Sequence, residues 1–379
     1  MTDRLAPLLF LPPPINTPWT GVADQALQMQ VSRADGSAKT VTSPLFWHDP
    51  NWCEMPIEQA DSLAVAVGRL NTLVTAMRSE LAPPDRCPVF HGGGVDVSTE
   101  DSKDEELNDS LPQEPFPRIV PYRPERYGLT ASDFDHAAVI DLRLAIARDR
   151  SGRFAFSPNQ IRRWEATPSG EPLAGGGWVP AATFPPDVIS IKHVQRKLEQ
   201  LRILSPAAAV FVSFEPYRLD EDLPRLLATN PDGIILLMSK MQLDGLSLAK
   251  LVQHARQEMN HAGRPDMPLW IVPGDVKADD VVKLIALGAS AVAIDTWCEA
   301  VIEEAEQATS GHDGYQAATA TQTKAIDSKY LRELAEYRLR PLIDRVLGLG
   351  FSLSRVTKAE RLGSFDSTWA AELGVKQLG

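Results

Sequence analysis

The sequence predicts an α/β protein with parallel strands. Apolar runs of strand length occupy residues 207–214, 233–238, 268–272 and 289–294. Such nearly continuous runs are typical of strands that are buried on both faces of a sheet. Amphipathic helical segments separate the runs, and a repeated strand, helix and parallel strand implies right-handed crossover units.

Helix signals stand where these crossovers need them. Residues 190–205 place Ile191, Val194 and Leu198 on one face, and Pro206 stops the segment. Residues 246–262 end before Gly263, and residues 278–287 end before Gly288, which fits glycine at the first position after a helix. This pattern leaves two architectures open, a (β/α)8 barrel and a doubly wound sheet.

The N-terminal part contains a hairpin and a helix. Residues 27–32 and 39–43 alternate as two strands, with Asp35 and Gly36 in the turn between them. Residues 59–77 carry apolar side chains at helical spacing, which predicts one long helix.

Composition changes abruptly after this helix. Residues 80–124 contain many prolines, three successive glycines and an acidic run. Such a segment buries too little apolar surface to offset the entropy of ordering it. We interpret residues 80–124 as a flexible surface insert, with the acidic run a solvated loop rather than a docking site for a partner.

Charge and cysteine content exclude several classes of protein. The net charge is −12, and no basic run offsets it, so binding to nucleic acid or to an anionic membrane is not expected. No apolar run reaches the roughly 20 residues of a membrane-spanning helix. Cys53, Cys87 and Cys298 lack the spacing of a disulfide framework or a zinc site, which favours a reducing, cytoplasmic location.

Four segments, read in order, resemble a known family. They are SGRFAFSPNQIRRWEATPSGEP (151–172), PPDVISIKHVQRKLEQLRILSPAAAVFVSF (185–214), PDGIILL (231–237) and ALGASAVAID (286–295). This series resembles the FMN-binding barrel domain of the glutamate synthase family. The resemblance implies a (β/α)8 barrel over residues 43–310, after an N-terminal segment, residues 1–42, and before a C-terminal helical extension, residues 323–379.

The barrel interpretation makes a specific structural prediction. The strands that contain Val210, Ile235, Ile271 and Val292 should be adjacent, parallel members of one closed barrel.

The family's chemistry sets expectations for particular residues. Glutamate synthases add ammonia to 2-oxoglutarate and reduce the imine with hydride from FMN, and an iron–sulfur cluster relays the electrons. The resemblance assigns the cofactor-binding positions of this chain to a set of residues spread over the barrel loops. They are Gly170, Glu171, Ser213, Gly274, Lys277 and Asp295.

The sequence departs from the family at most of these positions. Two lysines that the family places near flavin or substrate are Pro168 and Ser213 here, and a glycine near the phosphate is Asp295. A carboxylate there repels a phosphate dianion. Bulky residues replace the glycine-rich turn over residues 238–246, and Cys298 alone follows the barrel, whereas a cluster needs several thiolates.

Two functions stay open at this point. The first is a degenerate, non-catalytic barrel that has lost the FMN and iron–sulfur sites and binds a protein partner or another small molecule. The alternative is an FMN-dependent oxidoreductase of the glutamate synthase type. The lost glycines, lysines and cysteines favour the first, so no FMN and no iron–sulfur cluster are expected. The histidines have no metal-ligand spacing, and no catalytic residue is assigned.

Overall fold

A computed structural model gives the architecture of the chain. It describes residues 3–11, 29–32, 38–41, 43–50, 52, 55–76, 118–122, 131–134, 137–144, 155–156, 179–180, 188, 190–310, 326–353 and 362–379. The described strands are β1 (Leu8–Phe10), β2 (Met29–Ser32), β3 (Ala38–Val41), β4 (Leu45–Trp47), β5 (Leu73–Thr75), β6 (Arg118–Tyr122), β7 (Ala137–Leu144), β8 (Ala155–Phe156), β9 (Val179–Pro180), β10 (Ala209–Phe214), β11 (Gly233–Leu237), β12 (Leu269–Val272), β13 (Ala291–Ala293), β14 (Leu362–Ser364) and β15 (Lys376–Gln377). The described helices are α1 (Ile57–Arg69), α2 (Ile191–Leu204), α3 (Leu219–Leu227), α4 (Gly245–His261), α5 (Ala278–Ala286), α6 (Asp295–Ser310), α7 (Ser328–Leu353) and α8 (Ser367–Leu373).

Eight parallel strands form a closed barrel. Their order around the barrel is β4, β5, β6, β7, β10, β11, β12 and β13, and β13 closes the ring by pairing with β4. The order in space is the order in the chain, as in a (β/α)8 barrel. The strands that hold Val210, Ile235, Ile271 and Val292 are adjacent and parallel, so the predicted barrel is confirmed.

Large side chains fill the inside of the barrel. Successive side chains of a strand point to opposite faces, so every second residue lies inside. Phe46, Phe211 and Trp270 are fully buried there. The Trp270 ring lies 4.9 Å from the ring of Phe46 and 4.7 Å from that of Phe211, measured between centroids. The barrel interior is therefore a packed core, and any site must lie at its ends.

Helices cover the outside of the barrel. The long helix α7 packs against α1, α5 and α6, which follow β4, β12 and β13, respectively. Its buried Leu331 and Leu339 lie two turns apart, as an amphipathic helix on a core requires. The predicted C-terminal helical extension is thus part of the shell that closes the side of the barrel.

The two chain ends are joined near α5. β1 pairs with β14, and β14 pairs with β15. The buried carboxylate of Asp280 in α5 accepts hydrogen bonds from the backbone N–H groups of Arg4 and Leu5, at 3.0 and 3.1 Å. The Lys283 ammonium donates to the Leu5 carbonyl at 2.8 Å. These contacts hold the N-terminal segment against the barrel loops that follow β11 and β12.

Most of the predicted elements are confirmed, with shifts of a few residues at their ends. β2 and β3 pair antiparallel, as predicted, whereas the predicted turn residues Asp35 and Gly36 lie outside the described residues. α2, α4 and α5 lie where the helix signals placed them, and Gly263 and Gly288 adopt positive φ angles of 74° and 124° just after α4 and α5.

Two predicted boundaries are wrong. The helix predicted over residues 59–77 ends at Arg69, because Asn71 adopts a positive φ of 55° and the apolar residues after it form β5. The insert predicted over residues 80–124 cannot extend to its stated end, because residues 118–122 form β6, a barrel strand paired with β5 and β7. Residues 80–117 lie outside the described part of the chain.

No helix in the described ranges has the length and apolar character that crossing a bilayer requires.

Replacement of Gly233 by alanine should weaken the barrel. A Cβ at Gly233 would lie 2.5 Å from the ring carbon Cζ of Phe211, which packs against Trp270 and cannot move freely. Overpacking of this kind costs about 1–3 kcal/mol. Urea denaturation measures the loss. Gly348→Ala is the matched control, because a Cβ there meets nothing within 4 Å and alanine favours the helix; equal effects of the two substitutions would contradict the prediction.

Candidate functional site

Charged and polar side chains gather at the end of the barrel where the strands finish. His48 follows β4 directly, and Asp141 and Arg143 lie two residues apart near the end of β7. All three are at least 95% buried, although charged residues are almost never fully buried unless paired. In (β/α)8 barrels the carboxyl ends of the strands carry the functional groups, so this cluster marks the candidate site.

Asp141 is the centre of the cluster. Its Oδ2 atom accepts a hydrogen bond from Arg143 Nε at 2.7 Å and contacts His48 Nε2 at 3.2 Å. Burial alone raises the pKa of Asp141, but the charge of Arg143 and the hydrogen bond with His48 outweigh burial and lower this pKa to about 2. Asp141 is therefore ionised at neutral pH.

Arg143 connects β7 to the loop after β4. Its Nη2 atom donates to the backbone carbonyl of His48 at 2.9 Å, and Nη1 lies 3.3 Å from Oδ1 of Asp49. A planar guanidinium can serve several acceptors at once in a fixed geometry. Arg143 thus both neutralises Asp141 and fixes the backbone that carries His48.

His48 is held as a neutral imidazole. Burial and the charge of Arg143 together lower its pKa to about 4, and the nearby Asp141 only partly opposes these two effects. Because Asp141 is ionised and can only accept, we assign the imidazole proton to Nε2. The other ring nitrogen, Nδ1, is then an acceptor, and no hydrogen bond joins it to any residue that the structure describes.

Asp295 lies on the other side of the same loop. It is the first residue of α6, and its Oδ1 atom accepts hydrogen bonds from the backbone N–H groups of His48 and Asp49, at 2.7 and 3.4 Å. Burial is the main reason that the pKa of Asp295 is raised to about 7, and the charges of Asp49 and Glu299 add to the effect. The carboxyl group that was predicted to oppose a phosphate is thus bound to the chain's own backbone donors.

The remaining predicted site residues are spread over several strand ends. Ser213 lies inside the barrel near the end of β10 and is fully buried. Gly274 follows β12 with a φ of 81°, and Lys277, just before α5, places its Nζ atom 3.9 Å from Asp3. Gly170 and Glu171 lie outside the described residues. Ser213 and Asp295 therefore reach the candidate site, whereas the Lys277 ammonium faces the N-terminal segment.

A pocket of about 340 Å³ opens at the ends of β11 and β12, and none of His48, Asp141 and Arg143 lines it. Arg4 lines it together with Met238, Gln242, Asp244 and Asp275. The Arg4 guanidinium donates to the carbonyls of Pro273 and Leu243, in two of the loops that line the pocket. The carboxylates of Asp244 and Asp275 in the lining offset the charge of Arg4.

These contacts test whether the strand ends fit FMN. A flavin phosphate needs converging backbone N–H groups and no competing anion. Asp295 occupies the donors of the β4–α1 loop, and Asp244 and Asp275 line the pocket at the next strand ends. Buried Met238 stands at the end of β11. The described residues do not fit an FMN phosphate, and among them no group of His, Cys, Asp and Glu is placed to hold a metal ion.

Sequence reasoning missed the centre of this site. His48 was examined only for metal-ligand spacing, and neither Asp141 nor Arg143 was singled out. A signal was present, because residues 137–144 read AAVIDLRL, which sets two charges two positions apart in an otherwise apolar strand. That spacing puts both charges on the same face of the strand.

Comparison with known proteins shows the fold. No family model matches the chain, and no curated protein sequence matches it. A point mutant of flavocytochrome b2 with benzoylformate has a TM-score of 0.52 and 12% identity, covering 99% of this chain and 79% of that one. An (S)-mandelate dehydrogenase chimera scores 0.49 at 15% identity, covering 94% and 88%. The likeness to flavocytochrome b2 supports the barrel and nothing finer, so the glutamate synthase resemblance stays a prediction.

Removal of Arg143 should destabilise the protein strongly. Arg143→Gln leaves the buried Asp141 carboxylate without its cation, and breaking a buried pair costs about 3–5 kcal/mol. It should also raise the pKa of His48, which the Arg143 charge lowers. Urea denaturation and NMR titration of the imidazole measure these effects.

The control for that experiment is Arg338→Gln, which removes an exposed pair with Glu304 and should change stability little. Similar losses of stability in the two variants would contradict the role of Arg143.

Asp295 and His48 should give opposing pH dependences. The Asp295 pKa rises from 3.8 to about 7 on folding, so the folded state keeps a proton that the unfolded state releases, and stability falls as pH rises over this range. The His48 pKa falls from 6.5 to about 4 on folding, so the unfolded state binds a proton that the folded state does not. Stability therefore rises as pH rises over this range.

Asp295→Asn should therefore remove the effect of Asp295 and leave the pH dependence of stability that His48 causes. Asparagine keeps an acceptor for the two backbone N–H groups but does not titrate. Melting temperature measured from pH 4 to pH 8 should rise more steeply below pH 6.5 in this variant than in the parent, and the variant should be the more stable protein at pH 8. Parallel curves would refute the assignment.

Proposed function

We propose that this chain is a non-catalytic barrel of the glutamate synthase type. In this proposal it has lost the flavin and iron–sulfur chemistry and binds a small molecule at the carboxyl end of the barrel. The resemblance of the four sequence segments supports the family, and the closed barrel agrees with it. The structural likeness to flavocytochrome b2 supports the barrel alone.

One observation carries the proposal. The Asp295 carboxylate accepts hydrogen bonds from the backbone N–H groups of His48 and Asp49 at a strand end where the family has glycine. In (β/α)8 barrels the phosphate commonly lies at the loops after the last two strands, which are β12 and β13 here. Asp295 follows β13, so an ionised carboxylate there repels a phosphate, and the two N–H groups that it binds are not available as donors.

The neighbouring cation is equally engaged. Arg143 is bound to Asp141 and to the His48 carbonyl, so it is not directed at an incoming phosphate or substrate carboxylate. Moving Arg143 toward a ligand would leave the Asp141 carboxylate as a buried charge without a partner, which is strongly destabilising. A ligand at this end of the barrel is therefore expected to carry no strong negative charge.

A small molecule is favoured over a protein partner for a geometric reason. The polar side chains of Asp141 and Ser213 lie inside the carboxyl end of the barrel, where both residues are fully buried. A protein surface reaches such atoms only through a protruding side chain, whereas small-molecule sites in barrels are recessed at the strand ends.

The second candidate is an FMN-dependent oxidoreductase of the glutamate synthase type. A neutral imidazole bound to a carboxylate is a group that can accept a proton, and His48 with Asp141 has that form. FMN, when bound, supplies hydride chemistry. This candidate is the weaker one because the strand ends do not fit the FMN phosphate.

Flavin titration tests the proposal. Addition of FMN to the purified full-length protein should neither quench flavin fluorescence at micromolar concentrations nor raise the melting temperature, because a tight ligand must stabilise the folded state by mass action. Submicromolar binding would overturn the non-catalytic assignment and favour the oxidoreductase.

Asp295→Gly should improve whatever flavin affinity remains, because it frees the two backbone donors and removes the carboxylate. Asp266→Gly is the matched control, since Asp266 is an exposed loop carboxylate that precedes β12 at the opposite end of the barrel. Weaker flavin binding in Asp295→Gly than in the control would count against the role of Asp295.

A further inference from the structure

Residues 3–11 form a strap that crosses the loops after β11 and β12 without belonging to the barrel. The closed ring consists of β4 to β7 and β10 to β13, so it is complete without the strap. The strap contains β1, which pairs with β14 outside the ring. Release of the strap would therefore break its own contacts and leave every strand pair of the barrel intact.

Apolar contacts hold the strap along its length. Leu5 and Leu8 are fully buried and belong to the larger of the two apolar clusters of the protein. Between them, the Pro7 carbonyl accepts a hydrogen bond from Ser364 Oγ at 2.8 Å. Because these contacts lie within one short segment, loss of one frees the chain on both sides of it. Such segments open as cooperative units.

The polar anchor of the strap remains satisfied when the strap leaves. The Asp280 carboxylate accepts hydrogen bonds from the N–H groups of Arg4 and Leu5 in the docked strap. It also accepts from the Lys277 N–H group at 3.3 Å, and Lys283 Nζ lies 3.8 Å from it. After release, water replaces the strap, while the contacts with Lys277 and Lys283 stay. Neither state of the strap then buries a charge without a partner.

Arg4 connects the strap to the pocket at the ends of β11 and β12. Its guanidinium donates to the Pro273 carbonyl in one loop, at 2.8 Å, and to the Leu243 carbonyl in the other. The same side chain lines the pocket. The Arg4 carbonyl lies so close to Gly245 that a Cβ there would collide with it. One wall of the pocket and the link between its two loops therefore depend on the position of the strap.

We propose that the strap docks and releases as one unit and that its docking assembles the pocket. In the docked state Arg4 joins the two loops and forms one wall. In the released state the loops lose this link and the wall is absent. A ligand that contacts Arg4 binds only the docked state and holds the strap in place. The inference goes beyond the proposed function and does not rest on it, because it concerns how the pocket is built rather than what binds there.

Hydrogen exchange of the full-length protein, measured by mass spectrometry at neutral pH, tests the strap. Its amides should exchange together, and about tenfold or more faster than those of β10, because the strap opens without unfolding of the barrel.

Arg4→Gln tests the link to the pocket. Glutamine is shorter and lacks the forked donors that reach two loops at once. Exchange should rise about tenfold in the strap and in residues 238–245 and 273–277, since one hydrogen bond from a charged donor is worth about that factor. Arg345→Gln is the matched control. Its guanidinium binds Asp279 on the exposed side of α5, so the strap and both loops should exchange as in the parent.

Leu8→Ala tests whether the strap moves as a unit. Leu8 is not one of the described residues that line the pocket, yet loss of its burial should speed exchange of the whole strap and of both pocket loops. The expected increase is on the order of thirtyfold, as truncation of a buried leucine implies. Leu331→Ala is the control, because Leu331 is equally buried but lies on α7. It should leave exchange of the strap unchanged.

Three results would each overturn the strap mechanism. They are strap amides that exchange no faster than β10, a response to Leu8→Ala confined to β1, and unchanged exchange of the pocket loops in Arg4→Gln. These measurements use no flavin. Failure of the strap mechanism therefore leaves the outcome of the FMN titration unaffected, and tight FMN binding would overturn the proposed function without changing these exchange rates in the protein without ligand.

Discussion

The ion pair between Arg143 and Asp141 is the interaction on which the carboxyl end of the barrel depends. Both residues belong to β7 and lie on its inward face, where charge without a partner would be prohibitive. Because the guanidinium also binds the His48 carbonyl, the pair fixes the loop after β4. The position and the neutral state of His48 both follow from this one pair.

The loop after β4 is held from two directions. Arg143 donates to the His48 carbonyl, and Asp295 accepts from the His48 N–H group. Because β13 and β4 are neighbours in the ring, Asp295 can do this only when the barrel is closed. The contact of Asp295 with this loop thus joins the first and last barrel strands at their ends.

A different part of the chain organises the neighbouring strand ends. The N-terminal segment lies across the loops after β11 and β12 and is bound there through Arg4. A Cβ at Gly245 would meet the Arg4 carbonyl oxygen, so glycine at the start of α4 is required by this close approach. The N-terminal segment therefore borders this end of the barrel, while the polar centre is formed by residues of β7, β10 and α6 and by the residue that follows β4.

Local pattern in the sequence determined the type and order of the central elements. The apolar runs form β10 to β13, and glycines follow the ends of α4 and α5. These features are predictable because a strand buried on both faces and a residue with positive φ each require particular residue types within a short segment. The resemblance also drew attention to Asp295, at a position where the glutamate synthase family has glycine. The short strands β4 and β5 were harder to recognise, since strands of three residues carry little periodicity.

Only the tertiary structure decided which residues form the site. His48, Asp141 and Ser213 are distant in sequence and become neighbours because eight strands close into one ring with a fixed register. Register also decides which side of each strand faces the interior, and a shift by one residue would turn Asp141 and Arg143 outward. The sequence by itself determined an α/β chain with parallel strands, whereas the partners of its buried charges depend on closure of the barrel.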